Sequence, residues 1–183
     1  MLLQRSFLGI AALVSFATGL AQAQDESAER RAEIDANANE TLQNLYSSVE
    51  GAEALANQAA GYAVFSATKA GFGISGGGGS GVAVDKGAGE TVYMKMGMGG
   101  IGFSFGVQQF DLVILFESSK RLRSWIDGGW DAGAAAEASA GGDSVGAGVA
   151  FIDGAAVFTL TGTGAMASVS VSGTRFWVDE DLN

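Results

Sequence analysis

Two hydrophobic periods divide the chain. Between Asp25 and about Asn57, Ala38, Leu42, Leu45, Val49, Ala52 and Ala56 recur at alternating spacings of four and three. That spacing keeps one stripe on one helix face. Glu40, Asn44 and Glu50 fall elsewhere on the wheel, so the pattern predicts a long amphipathic helix, broken near Gly51. A helix lying on a membrane surface needs a basic polar face, and "DESAERRAEIDANANE" is net acidic. The stripe is therefore expected to pack against the rest of the chain.

From Gly61 onward the period falls to two and glycine becomes frequent. "GYAVF", "GFGIS", "GVAVD", "TVYMKMGMG", "IGFSFGV" and "FDLVILFE" read as successive strands. Val92, Met94, Met96 and Met98 alternate with Thr91, Tyr93, Lys95 and Gly97, one face packed and the other more open. "DLVILF" is a continuous apolar run, as a central strand covered on both faces requires. "SSKRLRSWIDGG" then predicts a short helix, with Ser118 or Ser119 as N-cap, Leu122, Trp125 and Ile126 inward, and Gly128-Gly129 as the stop.

Strand patterns return in "WDAGAAAEASAGG", "SVGAGVAFID", "GAAVFTLTG", "MASVSVSG" and "TRFWVD", with Asp153-Gly154 as a hairpin dipeptide. Ala132 to Ala140 also suits a helix, since alanine is the best helix former, but Gly133 and the flanking glycine pairs favour strand. The fold class expected is α+β. Roughly nine to eleven short strands would form a glycine-rich, strongly curved antiparallel β-sheet or small closed barrel. A long N-terminal amphipathic helix and one short mid-chain helix complete it.

The first residues change the domain reading. "MLLQR" carries one positive charge, "FLGIAALVSFATGL" is a 14-residue run of apolar and small residues, and Ala21 and Ala23 have the spacing a signal peptidase prefers. This is the pattern of a secretory signal peptide over 1–23, cleaved after about Ala23, and is too short for a comfortable membrane span. The mature chain is expected to hold a helical segment at 24–60 and a glycine-rich β domain at 61–183, exported to the periplasm or secreted. Without Arg5 it has 9 Lys and Arg against 20 acids, a net charge of about −11. That balance lacks the basic footprint of a nucleic-acid binder.

The sequence has no cysteine and no histidine. Disulfides, Ser-His-Asp and Cys-His nucleophile systems and the usual zinc sites are excluded. Carboxylates are the main catalytic option left: Asp127, Asp131 and Glu137 flank "GGW", and Asp179, Glu180 and Asp181 cluster further on. Nothing in their spacing marks a glycosidase pair or a calcium loop, and they read as solvated loop acids. Gly71, Gly73 and Gly76 match G-x-G-x-x-G. A dinucleotide fingerprint must open a helix, however, and here "GGGSGVAV" leads into another strand. No nucleotide, cofactor or metal is expected.

The few cations are more informative. Lys120, Arg121 and Arg123 stand beside Trp125, and Lys69, Lys86 and Lys95 lie in or near the glycine-rich strands. Each cation near an anionic membrane is worth about 1 kcal/mol, so these seven residues are the candidate lipid contacts. The bland alternative is a solvated helix face with Leu122, Trp125 and Ile126 in the core.

Taken together, "GYAVFSATKAGFGISGGGGSGVAV", "YMKMGMGGIGFSFGVQQFDLVILFES", "GWDAGAAAEASAGG" and "FTLTGTGAMASVSVSGTRFWVDEDLN" resemble the SYLF lipid-binding domain family, known also from yeast actin-patch proteins. The closing Gly-Thr-Arg-Phe-Trp segment and "DLN" are most similar to its exported bacterial branch. The resemblance implies lipid binding and no enzymatic activity. Actin is not an expected partner of an exported bacterial protein. Eukaryotic members carry a Gly-Pro step after the alanine-rich strand that "EASAGGDSVG" lacks. The competing expectation is a structural envelope protein or outer-membrane β-barrel, whose membrane strands would run to about ten residues with aromatic girdles.

Overall fold

The structure is a computed structural model that describes residues 8–128, 150–162, 164–166 and 174–183, with side chains described for 24–71, 76–99, 106–128, 150–162 and 174–183. Helix α1 (Leu8–Ser48) is followed by the short α2 (Ala52–Gln58). They part at Gly51, whose φ of 82° is a left-handed conformation that glycine adopts without a Cβ penalty. Every position of the predicted stripe is buried or half-buried, and Ile34 and Leu55 extend it. Leu45, fully buried, contributes about 1.5–3 kcal/mol by its transfer from water.

Two long strands replace the expected series of short ones. Strand β1 (Gly61–Asp85) and β2 (Glu90–Phe116) have 25 and 27 residues and pair as one antiparallel hairpin, from Asp85↔Glu90 to Gly61↔Phe116. The register shifts between Phe72 and Ile74. The short strands fuse because glycine does not interrupt the ladder; Gly76 to Gly79 continue pairing with Gly99 to Met96.

What those glycines do is let β1 fold back on itself. A Cβ at Gly77 would stand 2.4 Å from the Thr68 carbonyl oxygen, at Gly79 2.2 Å from that of Ser66, and at Gly81 2.1 Å from that of Val64. In an extended strand residues nine apart are separated by about 30 Å. The chain therefore turns back between Lys69 and Gly77, and alternate glycines form a bare face on which the other half's backbone rests.

Strand β3 (Ala155–Thr161) pairs with β2, β4 (Gly164–Met166) with β3, and β5 (Thr174–Val178) with the other half of β2. As predicted, Asp153-Gly154 turns the chain, with both residues at positive φ and Ile152 bridged to Ala155. Among the described residues the sheet has five strands and is not closed, so the closed-barrel option is not met by them. Helix α3 (Ser119–Gly128) starts after Ser118, whose hydroxyl accepts from the Arg121 N–H at 3.3 Å. The strand or helix expected over 132–140, the first part of "SVGAGVAFID" and the end of "MASVSVSG" lie outside the described residues.

Period two sends alternate residues into two cores. Val113 and Leu115 meet Ile34, Ala38, Leu42 and Leu45 of α1, together with Phe158 and Leu160 of β3. Leu112, Ile114 and Phe116 face Phe65, Met94, Met96 and Phe176, which α3 covers with Leu122 and Trp125. "DLVILF" is thus covered on both faces, as its apolar run implied. Among the described residues no helix is long and apolar enough to cross a membrane.

Candidate lipid-facing surface

The seven sequence-predicted contacts do not assemble into one patch. Trp125 is 3% exposed, its ring centroid 5.3 Å from Phe116 and Phe176 and 6.1 Å from Phe65. The inward face of an amphipathic α3 requires this, so Trp125 belongs to the core and not to a surface. Arg121 is half-buried against the 153–154 turn, where its Cγ would lie 3.7 Å from a Cβ at Gly154. Lys120 and Arg123 share the outward face of α3 with Ser124 and Asp127.

Arg123 is also committed to a fold contact. Its guanidinium lies 3.3 Å from Oδ2 of Asp85, a residue 2% exposed, though without an aligned hydrogen bond. Oδ1 of Asp85 accepts from the Ala88 and Gly87 N–H groups, both at 3.0 Å, and from the Ser119 hydroxyl at 2.9 Å. The Ala88 bond leads in holding this carboxyl below its usual 3.8, with Ser119, Gly87 and Arg123 adding to it against the effect of burial. One carboxylate thus ties the β1–β2 turn to the start of α3.

Two of the strand lysines are similarly engaged. Lys86 donates from Nζ to the Ala56 carbonyl near the end of α2, the end at which a cation is favoured. Its ammonium also lies 6.0 Å from the Tyr62 ring centroid, and burial lowers its pKa. Lys95 lies 2.7 Å from Asp179, whose side chain is fully buried, and 3.4 Å from Asp181. The Asp179 hydrogen bond leads in raising the Lys95 pKa above 10.5, outweighing burial. Lys69 is half-buried on β1, opposite Gln108 in register, and among the described residues forms no ion pair.

The same end of the molecule explains "DEDLN". Leu182 is 1% exposed in the core under α1. The Asn183 carboxamide pairs with a strand edge like a peptide unit: it accepts from Tyr93 N–H at 2.9 Å and donates to Tyr93 C=O at 2.8 Å. The Tyr93 hydroxyl donates to Asp35 of α1 at 2.9 Å.

Sequence reading passed over the surface residues that remain. On β5, Thr174 and Phe176 are buried, while Arg175 and Trp177 alternate outward. Trp177 is 45% exposed, beside Lys95 in register, and its six-membered ring lies against Gly97, where a Cβ would be 3.0 Å from Cη2. Alternation in "TRFWV" was the available signal. Among the described residues the other large exposed apolar side chains, Val107 and Ile152, stand on β2 and in the turn before β3. Among the described residues no group of three or more acids is placed to hold a metal.

Comparison with known proteins adds the family. Residues 97–183 match the Ysc84 family, described as Las17-binding protein actin regulators. Beta cell expansion factor A of Aeromonas veronii is 31% identical over 154 residues, 84% of this chain. The match spans 59% of that protein's length. It too is a SYLF-family protein, and domains of this family are lipid-binding in general and generally non-catalytic. Over residues 97–183 the chain therefore belongs to the Ysc84, or SYLF, family.

Proposed function

We propose that this chain is a non-enzymatic protein of the bacterial cell envelope that binds a lipid or membrane surface, exported to the periplasm by a leader ending near Ala23. The observation that carries the lipid reading is Trp177, 45% exposed beside Arg175 on β5 inside the family-matched segment. A tryptophan with one apolar face and one N–H suits the headgroup level of a bilayer. The absence of histidine and cysteine supports the non-enzymatic part.

Charge plays a smaller part than the sequence reading gave it. Lys95 is neutralised by Asp179 and Asp181, and Arg123 by Asp85. Association then rests on inserting an indole, and its salt dependence is shallow. The test is co-sedimentation of the mature chain with phosphatidylcholine vesicles, with and without phosphatidylglycerol. Binding that falls about tenfold in Trp177→Ala, about 1.4 kcal/mol, and little on adding salt is expected. No binding to either vesicle, or an unchanged Trp177→Ala, overturns the reading.

A further inference from the structure

A cleft of about 690 Å³ opens between α1 and the sheet, on elements distinct from β5 and Trp177. That volume lies in the range of small-molecule pockets, about 300–1,000 Å³. Asn37, Glu40 and Asn44 line it from α1, at i, i+3 and i+7, so the helix presents them as one row. From the sheet come Ser66, Thr68, Gln109 and Asp111, while the Phe110 ring packs into the core on the α3 side of β2. The Ser66 hydroxyl donates to Asp111 Oδ1 at 2.7 Å and fixes that carboxylate.

The donor set restricts the ligand. Carboxamides donate and accept side by side, carboxylates accept from paired hydroxyls, and Ser and Thr do either. No lysine or arginine is among the described lining residues, while Glu40 and Asp111 are both acidic. A phosphate or carboxylate ligand would meet two like charges and no counter-charge. A hard divalent cation wants a denser set of oxygen ligands with more charge, and no cluster of three or more acids is present among the described residues. What matches amides, hydroxyls and two carboxylates is an uncharged molecule rich in hydroxyls.

We propose that this cleft binds a neutral saccharide, presented either as a free oligosaccharide or as a glycolipid headgroup. Asn37, Glu40, Asn44, Gln109 and Asp111 hold its hydroxyls.

Saturation-transfer NMR on the mature chain tests this with maltose, lactose and chitobiose, and with sialyllactose as the anionic comparison. A second arm uses phosphatidylcholine vesicles with and without galactosyl diacylglycerol. Transfer to a neutral disaccharide assigns the free source. A gain in vesicle binding on adding galactolipid, without transfer to a free disaccharide, assigns the lipid-borne one. Asn44→Ala and Asp111→Asn should each weaken saccharide binding about tenfold, or cancel the gain that galactolipid brings, while Trp177→Ala leaves the saccharide signal unchanged and lowers vesicle binding with and without galactolipid alike. Asn44 is exposed on α1, so its variant keeps the test valid where Asp111→Asn fails to fold. Absence of both saccharide transfer and a galactolipid gain, either signal surviving the cleft substitutions, equal binding of sialyllactose, or calcium chloride alone shifting the cleft resonances overturns the proposal. Because Trp177 is outside the cleft, these results stand apart from those that decide the membrane reading.

Discussion

Lys95 of β2 and Asp179, the residue after β5, meet at 2.7 Å with the carboxylate fully buried and the ammonium one-third exposed. Breaking such a contact from the lysine side strands a buried charge. The raised pKa of Lys95 fixes the direction of the pH effect. A group whose folded pKa exceeds its unfolded value stabilises the fold fully below 10.5 and loses that contribution as pH rises through the folded value. Tyr46, Tyr62 and Tyr93, also raised, chiefly by burial, act in the same sense. Denaturant midpoints measured across the alkaline range should fall, and less steeply in Lys95→Met, which starts from a lower midpoint at neutral pH.

Asp85 gives the opposite dependence. Its folded pKa is depressed, so its contribution is complete above 3.8 and disappears as pH falls through the depressed value. Asp85→Asn should lower the midpoint at neutral pH and flatten the acid limb of the same titration. An acid limb identical to that of the unsubstituted chain would remove Asp85 from its role as the clamp between turn and helix.

The glycine stripe predicts a sharp contrast between neighbours. Gly79→Ala places a methyl 2.2 Å from the Ser66 carbonyl and 2.8 Å from Ala67. Backbone cannot move aside as a side chain does, so the cost is at the upper end of about 1–3 kcal/mol or beyond. Gly99→Ala meets nothing within 4 Å, and its effect should stay within about 0.5 kcal/mol. Thermal unfolding of the two variants reads the difference directly.

Leu182 and Asn183 anchor the segment after β5 by different means. Leu182→Ala empties a buried site in the core under α1 and should cost about 2–5 kcal/mol. Asn183→Ala removes the carboxamide pairing with Tyr93, an exposed set of bonds, and should cost about 1–2 kcal/mol. Hydrogen exchange at the Tyr93 amide should accelerate in the second variant.

The elements with a clean period were legible before the structure. The stripe from Ala38 to Ala56, the doubly covered "DLVILF", the inward Leu122 and Trp125 and the Asp153-Gly154 turn all follow from spacing alone. Strand number did not, because glycine marks strand ends in most sequences and here marks the place where one strand lies against itself. The candidate cations do not form one patch for a related reason. Arg121 turns away from Lys120 and Arg123 around the helix, and partners such as Asp85 are far away in the chain. Arg175 and Trp177 were visible in an alternating run but carried no cluster to draw the eye. The polar cleft joins α1 to three strands, and no local pattern announces such a convergence.

The single turn joining β1 and β2 also governs how the molecule comes together. Asp85 and Glu90 close a short loop, and every later pair, out to Gly61 and Phe116, adds to a ladder already begun. The entropy of bringing the strands together is therefore met mostly at one place. By loop-closure entropy alone the Asp85 turn is the least costly place to begin the β1–β2 ladder, which leaves the glycine face as the surface on which the outer half comes to rest.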